Sequence, residues 1–312
     1  MNNYLVDVKD LAIGYHNQKG ALIHVLKGVD LQIKPGETLG LVGESGCGKS
    51  TLGQAMMGYL RSGSKVLEGS VDFAGNKMFV LNNRELESIR GRQIALIPQN
   101  AGDALTPTML VGTQVIEAIE LNADLSGDAA KNRMLDLLDQ VRLPHPEVMA
   151  GRYPHELSGG QQQRAVIAMA LAAEPDMLIL DEPTTGLDVT TQAHILNLLR
   201  DIVKEMGTAM LYISHDLGVI ARVSDRIALM YAGNIIEDTN VVEMFKFPAH
   251  PYARGLLESI PRLNLEGIPN SMPGQPPLPG TLPGCSFEPR CSYTSDICQS
   301  EIPSLVTIPG ST

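Results

Sequence analysis

The chain has 312 residues, a hydrophobic fraction of 44% and a formal net charge of −11. That length holds one large or two modest domains with a real core. The negative balance argues against a nucleic-acid partner, because phosphate-backbone binding needs a basic surface, and no apolar run approaches the roughly 20 residues that span a bilayer.

The first ten residues, Met1 to Asp10, lack the basic start and apolar core of a signal peptide. The expectation is a cytosolic protein whose membrane contact runs through a partner. Tyr4 to Ile13 reads as a partly alternating strand, with Tyr15 just after it and a polar turn from Asn17 to Gly20. Leu22 to Ile33 alternates as a second strand, and Lys34-Pro35-Gly36 is a turn. The apolar run Thr38 to Val42 then enters Gly43-Glu44-Ser45-Gly46-Cys47-Gly48-Lys49-Ser50-Thr51, and an apolar stretch from Leu52 to Leu60 reads as a helix. A glycine, four free positions and Gly-Lys-Ser, set between strand and helix, form a phosphate-binding loop. Its N–H groups and the helix start attract a phosphate chain. Lys49 can reach the β- and γ-phosphates of a nucleoside triphosphate, and the Ser50 hydroxyl can ligate Mg²⁺.

Gly69 to Ala74 is a short strand, Arg84 to Ile89 a brief helix, and Ile94 to Ile97 an apolar strand followed by Pro98-Gln99-Asn100. From about 100 to 173 the pattern turns helical: Val111 to Leu121, Asp128 to Val141 and Gln161 to Ala173. Met134, Leu135, Leu137, Leu138 and Val141 form a stripe at helical spacing. Strand and helix then alternate again, through Met177 to Leu180, Thr190 to Met206, Ala209 to Ile213, Leu217 to Val223 and Arg226 to Met230. The fold class is therefore α/β with a largely parallel core sheet and an inserted helical block. Ten of the 20 prolines lie from Pro261 onward. We divide the chain into a nucleotide-binding domain of residues 1–260 and a Pro-rich extension of 261–312, where regular elements are not expected.

Three further groups carry chemistry. The strand ending in Asp181-Glu182 places one carboxylate to bind Mg²⁺ and the next to face the attacking water. Leu157-Ser158-Gly159-Gly160-Gln161 opens a long helix, with Ser158 as N-cap, and is a second anion-binding helix start. Cys285, Cys291 and Cys298 crowd the C-terminus, with five and then six residues between them, which in a cytosolic protein points to a metal site before disulfides.

Together these motifs resemble the ATP-binding cassette (ABC) ATPases over roughly residues 4 to 240, which implies that 1–260 is an ABC ATPase domain with an antiparallel N-terminal β subdomain. Leu157 to Gln161 resembles the signature, Gln99 the Q-loop, Thr185-Gly186-Leu187-Asp188 the D-loop, and Ser214-His215-Asp216 the switch histidine. Tyr15 sits where the family stacks an aromatic on adenine. The resemblance implies an ATPase whose cassettes pair head to tail, with Ser158, Gly159, Gly160 and Gln161 reaching the γ-phosphate of a partner's ATP. It implies Glu182, His215 and Gln99 as catalytic groups, Ser50, Gln99 and Asp181 as Mg²⁺ ligands, and Asp188 at the nucleotide. The segment Phe247 to Leu257 and the motif Gly284 to Cys291 resemble the oligopeptide/dipeptide/nickel importer branch. That branch implies two permease subunits at the cytosolic face of the membrane and an extracytoplasmic solute-binding protein. It also implies a second ATPase subunit, in a heterodimer or a homodimer, with docking through residues 99 to 121. Some members hold a [4Fe–4S] cluster at the cysteines, which takes four thiolates. Here there are three, the family's fourth following a Pro-Gly like Pro309-Gly310, so a cluster, zinc or three free thiols stay open. Peptides are the leading cargo, with nickel or metal chelates, glutathione and oligosaccharides as alternatives. A soluble ABC ATPase of DNA repair or translation, and a non-hydrolysing scaffold, are the rival classes.

Overall fold

The computed structural model describes residues 3–16, 20–260, 272–277 and 283–308. Two compact units emerge, each discontinuous in sequence: Met1–Leu5 with Ile33–Thr38 and Val80–Ile213, and Val6–Gln32 with Leu39–Phe79 and Ser214–Thr312. In chain order the elements begin with β1 (Val6–His16), β2 (Leu22–Ile33), β3 (Thr38–Val42), α1 (Lys49–Met56), β4 (Ser64–Phe73), β5 (Asn76–Lys77) and α2 (Asn83–Ile89). Next come β6 (Ile94–Ile97), α3 (Ala101–Ala104), α4 (Val111–Asn122), α5 (Gly127–Gln140), α6 (Pro146–Ala150) and α7 (Gly159–Ala170). The chain continues through β7 (Met177–Asp181), α8 (Val189–Met206), β8 (Ala209–Ser214), α9 (Leu217–Val223) and β9 (Arg226–Tyr231). β10 (Asn234–Asn240), α10 (Val241–Lys246) and α11 (Pro251–Glu258) follow.

In the first unit β6, β7 and β8 are parallel, with Ile97 opposite Leu180 and Asp181 opposite Ile213. All six residues of β8 are buried, the unbroken apolar texture of a strand covered on both faces. Helix α8 buries Ile195, Leu198, Leu199 and Ile202, a stripe at i, i+3, i+4 and i+7. Asp188 caps its start through the N–H groups of Thr190 and Thr191. Gly207 ends it in a left-handed turn, φ 67°. Helices α3 to α7 form the inserted helical block, as the loss of strand signal after Ile97 predicts.

In the second unit an antiparallel sheet runs β2-β1-β4-β5. Its register sets Val6 opposite Phe73 and Tyr15 opposite Ser64. The register shifts between Lys9 and Ala12. There a Cβ on Gly69 would stand 2.2 Å from the Asp10 carbonyl, so only glycine lets the strands close. β9 lies parallel to β3, with Leu41 opposite Ala228, and antiparallel to β10.

Several boundaries differ from the sequence expectations. Tyr15 lies inside β1 rather than beyond it, because pairing with β4 carries the strand to His16. The helix after the phosphate loop begins at Lys49, not Leu52, and stops at Met56, because Gly58 turns left-handed two residues later. Strand β4 starts at Ser64, since backbone pairing with β1 does not require apolar side chains there. The turn through Asn17 and the Pro309-Gly310 pair lie outside the described residues.

Beyond β10 the chain forms α10 and α11, where the sequence expectations named no element. The buried Glu237 carboxylate accepts the N–H groups of Ala249 and His250 at 3.0 and 2.7 Å and fixes the approach to α11. His250 Nδ1 then caps the helix by accepting the Tyr252 N–H at 3.0 Å, and Pro251 fills the first turn. Burial lowers the His250 pKa from 6.5 to about 4, so the ring is neutral in the folded protein. The unfolded chain binds the proton first, so the stabilisation is complete above pH 6.5 and lost as pH falls towards 4. His250→Asn keeps a cap acceptor and cannot titrate. Its melting temperature should therefore fall less steeply than the wild type's between about pH 6.5 and 4. Parallel pH profiles for the two proteins would contradict this.

Candidate nucleotide site

The second unit holds the phosphate loop. Strand β3 delivers it at its C-terminal end, where a parallel sheet opens its ligand crevice. Gly43 follows directly, and a Cβ there would stand 2.2 Å from the Met230 carbonyl and 2.7 Å from Cys47 Sγ. Gly48 takes φ 110° at the N-cap of α1, a conformation only glycine adopts without strain. Lys49 is 6% exposed, and its ammonium donates to the Gly43 and Glu44 carbonyls at 2.7 and 3.0 Å. The cation is thereby held inside the curve of the loop. Cys47 Sγ lies 3.9 Å from it. Burial pushes the Cys47 thiol up, so the sulfur stays neutral and serves as a small packing group.

Ser50 and Thr51 continue the first turn of α1, where helix N–H groups have no intrahelical carbonyl. Tyr15 is 38% exposed on β1, a ring edge in water at the end of a strand. His215 lies exposed between β8 and α9. Asp216 beside it fixes that turn: its carboxylate accepts the Gly218 and Val219 N–H groups, and its own N–H donates to Ser214 Oγ at 2.9 Å.

The first unit holds the carboxylates. Asp181 ends β7, and Glu182 leaves the strand in the left-handed region, φ 49°. A non-glycine residue held there costs about 1–3 kcal/mol, and such strain gathers at functional sites. Glu182 Oε2 accepts from Gln99 Nε2 at 3.2 Å and from Thr185 Oγ1 at 3.1 Å. The structure thus brings together Gln99 and Glu182, 83 residues apart. The contact to Thr185, three residues on, was not foreseen.

Ser158 to Gln161 form a reciprocal capping box. Ser158 Oγ accepts the Gln161 N–H at 3.4 Å, and Gln161 Oε1 accepts the Ser158 N–H at 2.9 Å. Gly159 and Gly160 occupy the first two positions of α7, leaving the N–H groups beneath them without Cβ cover. Thr191 of α8 stands above Gly160, its Cγ2 2.5 Å from where a Cβ would be. Thr191 also hydrogen-bonds Asp188 and holds that carboxyl below its usual range. Signature and D-loop residues are therefore one packed group within this unit.

The cysteines are gathered less closely. The Cys285 N–H donates to the Cys298 carbonyl at 2.9 Å, and Cys291 Sγ accepts the Tyr293 N–H at 3.4 Å. Cys298 Sγ pairs with Ser295 Oγ at 3.5 Å, which holds that thiol below its usual range, while burial pushes Cys285 up. Among the described residues no three His, Cys, Asp or Glu side chains converge as a metal site. Three thiols in this arrangement do not fit a cluster that takes four thiolates.

The largest omission from the sequence reading is the C-terminal cover of the phosphate loop. Arg290, read only as part of a cysteine motif, pairs with Glu44 across 246 residues of sequence. The Tyr252 hydroxyl accepts the Glu44 N–H at 3.1 Å. No periodicity or motif spacing joins these positions.

Residues 26–185 match the family model described as ABC transporter, and residues 236–298 match the oligopeptide/dipeptide transporter C-terminal region. The oligopeptide transport ATP-binding protein OppD of Bacillus subtilis is 44% identical over 303 residues, covering 94% of this chain and 83% of its own length. The dipeptide transport ATP-binding protein DppD of Bacillus subtilis is 42% identical over 302 residues, covering 96% and 90%. The dimeric post-hydrolysis structure of the ATP-binding cassette MJ0796 bound to ADP and Pi superposes with a TM-score of 0.68 at 31% identity, covering 76% of this chain and 98% of that one. The cassette cbiO1 from Clostridium perfringens superposes with a TM-score of 0.67 at 29% identity, covering 79% and 92%. The cassette fold, the ordered motifs and these matches agree: the chain belongs to the ABC transporter ATPase family and carries the C-terminal region of its oligopeptide/dipeptide branch.

Proposed function

We propose that the chain hydrolyses ATP to power import of oligopeptides or dipeptides through separate permease subunits. One observation carries the peptide reading: the oligopeptide/dipeptide C-terminal region spans 236–298 and supplies Tyr252 and Arg290 to the phosphate loop. Among the described residues no helix is long and apolar enough to cross a membrane, so the pore belongs to partners.

Each side chain has a role in this scheme. Tyr15 stacks on adenine. Gly43 to Thr51 cradle the phosphates, with Lys49 neutralising charge that develops on transfer. Ser50, Gln99 and Asp181 offer the hard oxygen donors that Mg²⁺ prefers, and the ion would neutralise the phosphate oxygens. Glu182 polarises the attacking water and takes its proton. His215 orients the γ-phosphate. Ser158, Gly159, Gly160 and Gln161 act on the ATP of a second cassette, and Asp188 supports that closure. The second cassette is a similar subunit in a heterodimer, or a second copy. A solute-binding protein delivers the peptide, and the chain works at the cytoplasmic face. The cysteines enter no step.

The test uses a tagged chain drawn from native membranes. Two permease subunits and a second cassette should accompany it, and a strain lacking the chain should lose uptake of labelled di- or oligopeptide. Uptake of nickel, glutathione and oligosaccharide should stay normal. A chain recovered without membrane subunits, or intact peptide uptake in the deletion, would overturn the proposal.

A further inference from the structure

The loop that receives a polyanion carries a carboxylate of its own, Glu44. A negative group beside bound phosphate is repulsive unless a cation compensates it. Lys49 does not serve, since its ammonium donates to the Gly43 and Glu44 carbonyls and not to the Glu44 carboxylate. The compensation comes from the C-terminal extension. Arg290 Nη1 donates to both Glu44 carboxylate oxygens, at 2.8 and 3.1 Å, and to Tyr231 Oη at 3.2 Å. Its Nε donates to the Pro273 carbonyl at 3.0 Å. The guanidinium is nearly enclosed, with the side chain 6% exposed.

The arginine is itself held in place. Phe287, three residues earlier and 3% exposed, packs its ring against Tyr231 at 5.2 Å, His250 at 5.4 Å and Tyr252 at 5.6 Å. The aromatic cluster anchors the extension, and the Tyr252 hydroxyl accepts the Glu44 N–H from the same side. Glu44 is thus gripped at its backbone by α11 and at its carboxylate by the extension. Its carbonyl in turn accepts from Lys49.

We propose that Arg290 is a positioning residue of the nucleotide site: by pairing with Glu44 it removes the loop's own negative charge and makes ATP affinity depend on a seated C-terminal extension. This rests on the loop binding ATP.

The experiment measures ATPase kinetics and binding of a fluorescent ATP analogue on the full chain, with a melting curve for each variant. Arg290→Met leaves Glu44 uncompensated, and KM for ATP should rise about tenfold while kcat stays within about twofold. Arg290→Lys keeps the charge and should recover most of the affinity. Glu44→Gln combined with Arg290→Met removes both charges and should return KM to within about threefold of wild type, as deleting both partners leaves no orphaned charge. A purely structural role for Arg290 would leave that double variant as weak as Arg290→Met. A folded Arg290→Met with wild-type KM, or a double variant as weak as the single, overturns the proposal. Should Arg290→Met fail to fold, the double variant decides: near-wild-type KM supports the proposal and a tenfold rise refutes it. Lys49→Ala run alongside separates the two ideas, because retained binding there sinks the assignment of the loop to ATP, whatever Arg290 does.

Discussion

Glu182→Gln should lower kcat for ATP hydrolysis by about 10²- to 10⁴-fold while leaving ATP binding intact, the span expected for loss of a positioned general base. The substitution preserves side-chain volume and an oxygen that can still accept from Gln99 Nε2 and Thr185 Oγ1. What it removes is the negative charge and the capacity to take a proton from water. The backbone supports this separation of roles. Glu182 sits at φ 49°, pinned by its N–H to the Ile213 carbonyl at 3.0 Å, so the side chain's exit direction is set before any ligand arrives. Asp181, one residue earlier and still within β7, keeps the strand direction. The left-handed step is what turns two adjacent carboxylates into two different tools. The measurement is steady-state turnover with the fluorescent analogue's affinity, followed by size analysis in ATP. The variant should accumulate an ATP-bound pair or complex. Wild-type turnover would show that another group activates the water.

Much of this was legible in the chain because it is local. Gly43 to Thr51 announces itself by glycines that no Cβ could replace and a Lys-Ser pair at the helix start. Ser158 and Gln161 cap a helix at a spacing of three, which a sequence displays directly. The apolar runs at β3, β7 and β8 are buried strands because parallel sheets cover both faces. The order of motifs then identified the cassette, although the contact of Gln99 with Glu182 shows only in the fold. What stayed hidden depends on contacts far apart in sequence. Arg290 and Glu44 belong to segments whose local patterns say nothing of each other. Tyr252 lay within a segment recognised by resemblance, yet its hydroxyl's bond to the Glu44 N–H needs the fold. The helices α10 and α11 were missed because flanking prolines and short length masked them, and tertiary contacts with Glu237 and His250 supply what propensity lacks. The left-handed backbone at Glu182 was equally invisible, since nothing in an Asp-Glu pair announces a reversal of φ.

Gly160→Ala should separate ATP binding from ATP use. The added methyl would lie 2.5 Å from Thr191 Cγ2, well inside the 3.5–4.0 Å at which carbons pack comfortably. Overpacking of this kind costs about 1–3 kcal/mol, but the site's relief is at hand, since Thr191 is in the first turn of α8. The methyl also covers the start of α7, where a phosphate from a second cassette is proposed to approach the N–H groups. The first effect lowers the melting temperature and the second hinders closure, so ATP-dependent pairing and hydrolysis should fall about 5- to 150-fold, the range of a coupling of about 1–3 kcal/mol. Binding of the fluorescent analogue should stay within about twofold, because the phosphate loop is untouched. Thr191→Ser distinguishes the two causes. It deletes Cγ2 yet keeps the hydroxyl that holds Asp188. Added to Gly160→Ala, it should restore the melting temperature but not hydrolysis, because the methyl still blocks the phosphate's approach. Full recovery of turnover in the double variant would mean that Gly160 serves only the packing of α7 against α8. Wild-type pairing and turnover in the single variant would remove the signature from the reaction altogether.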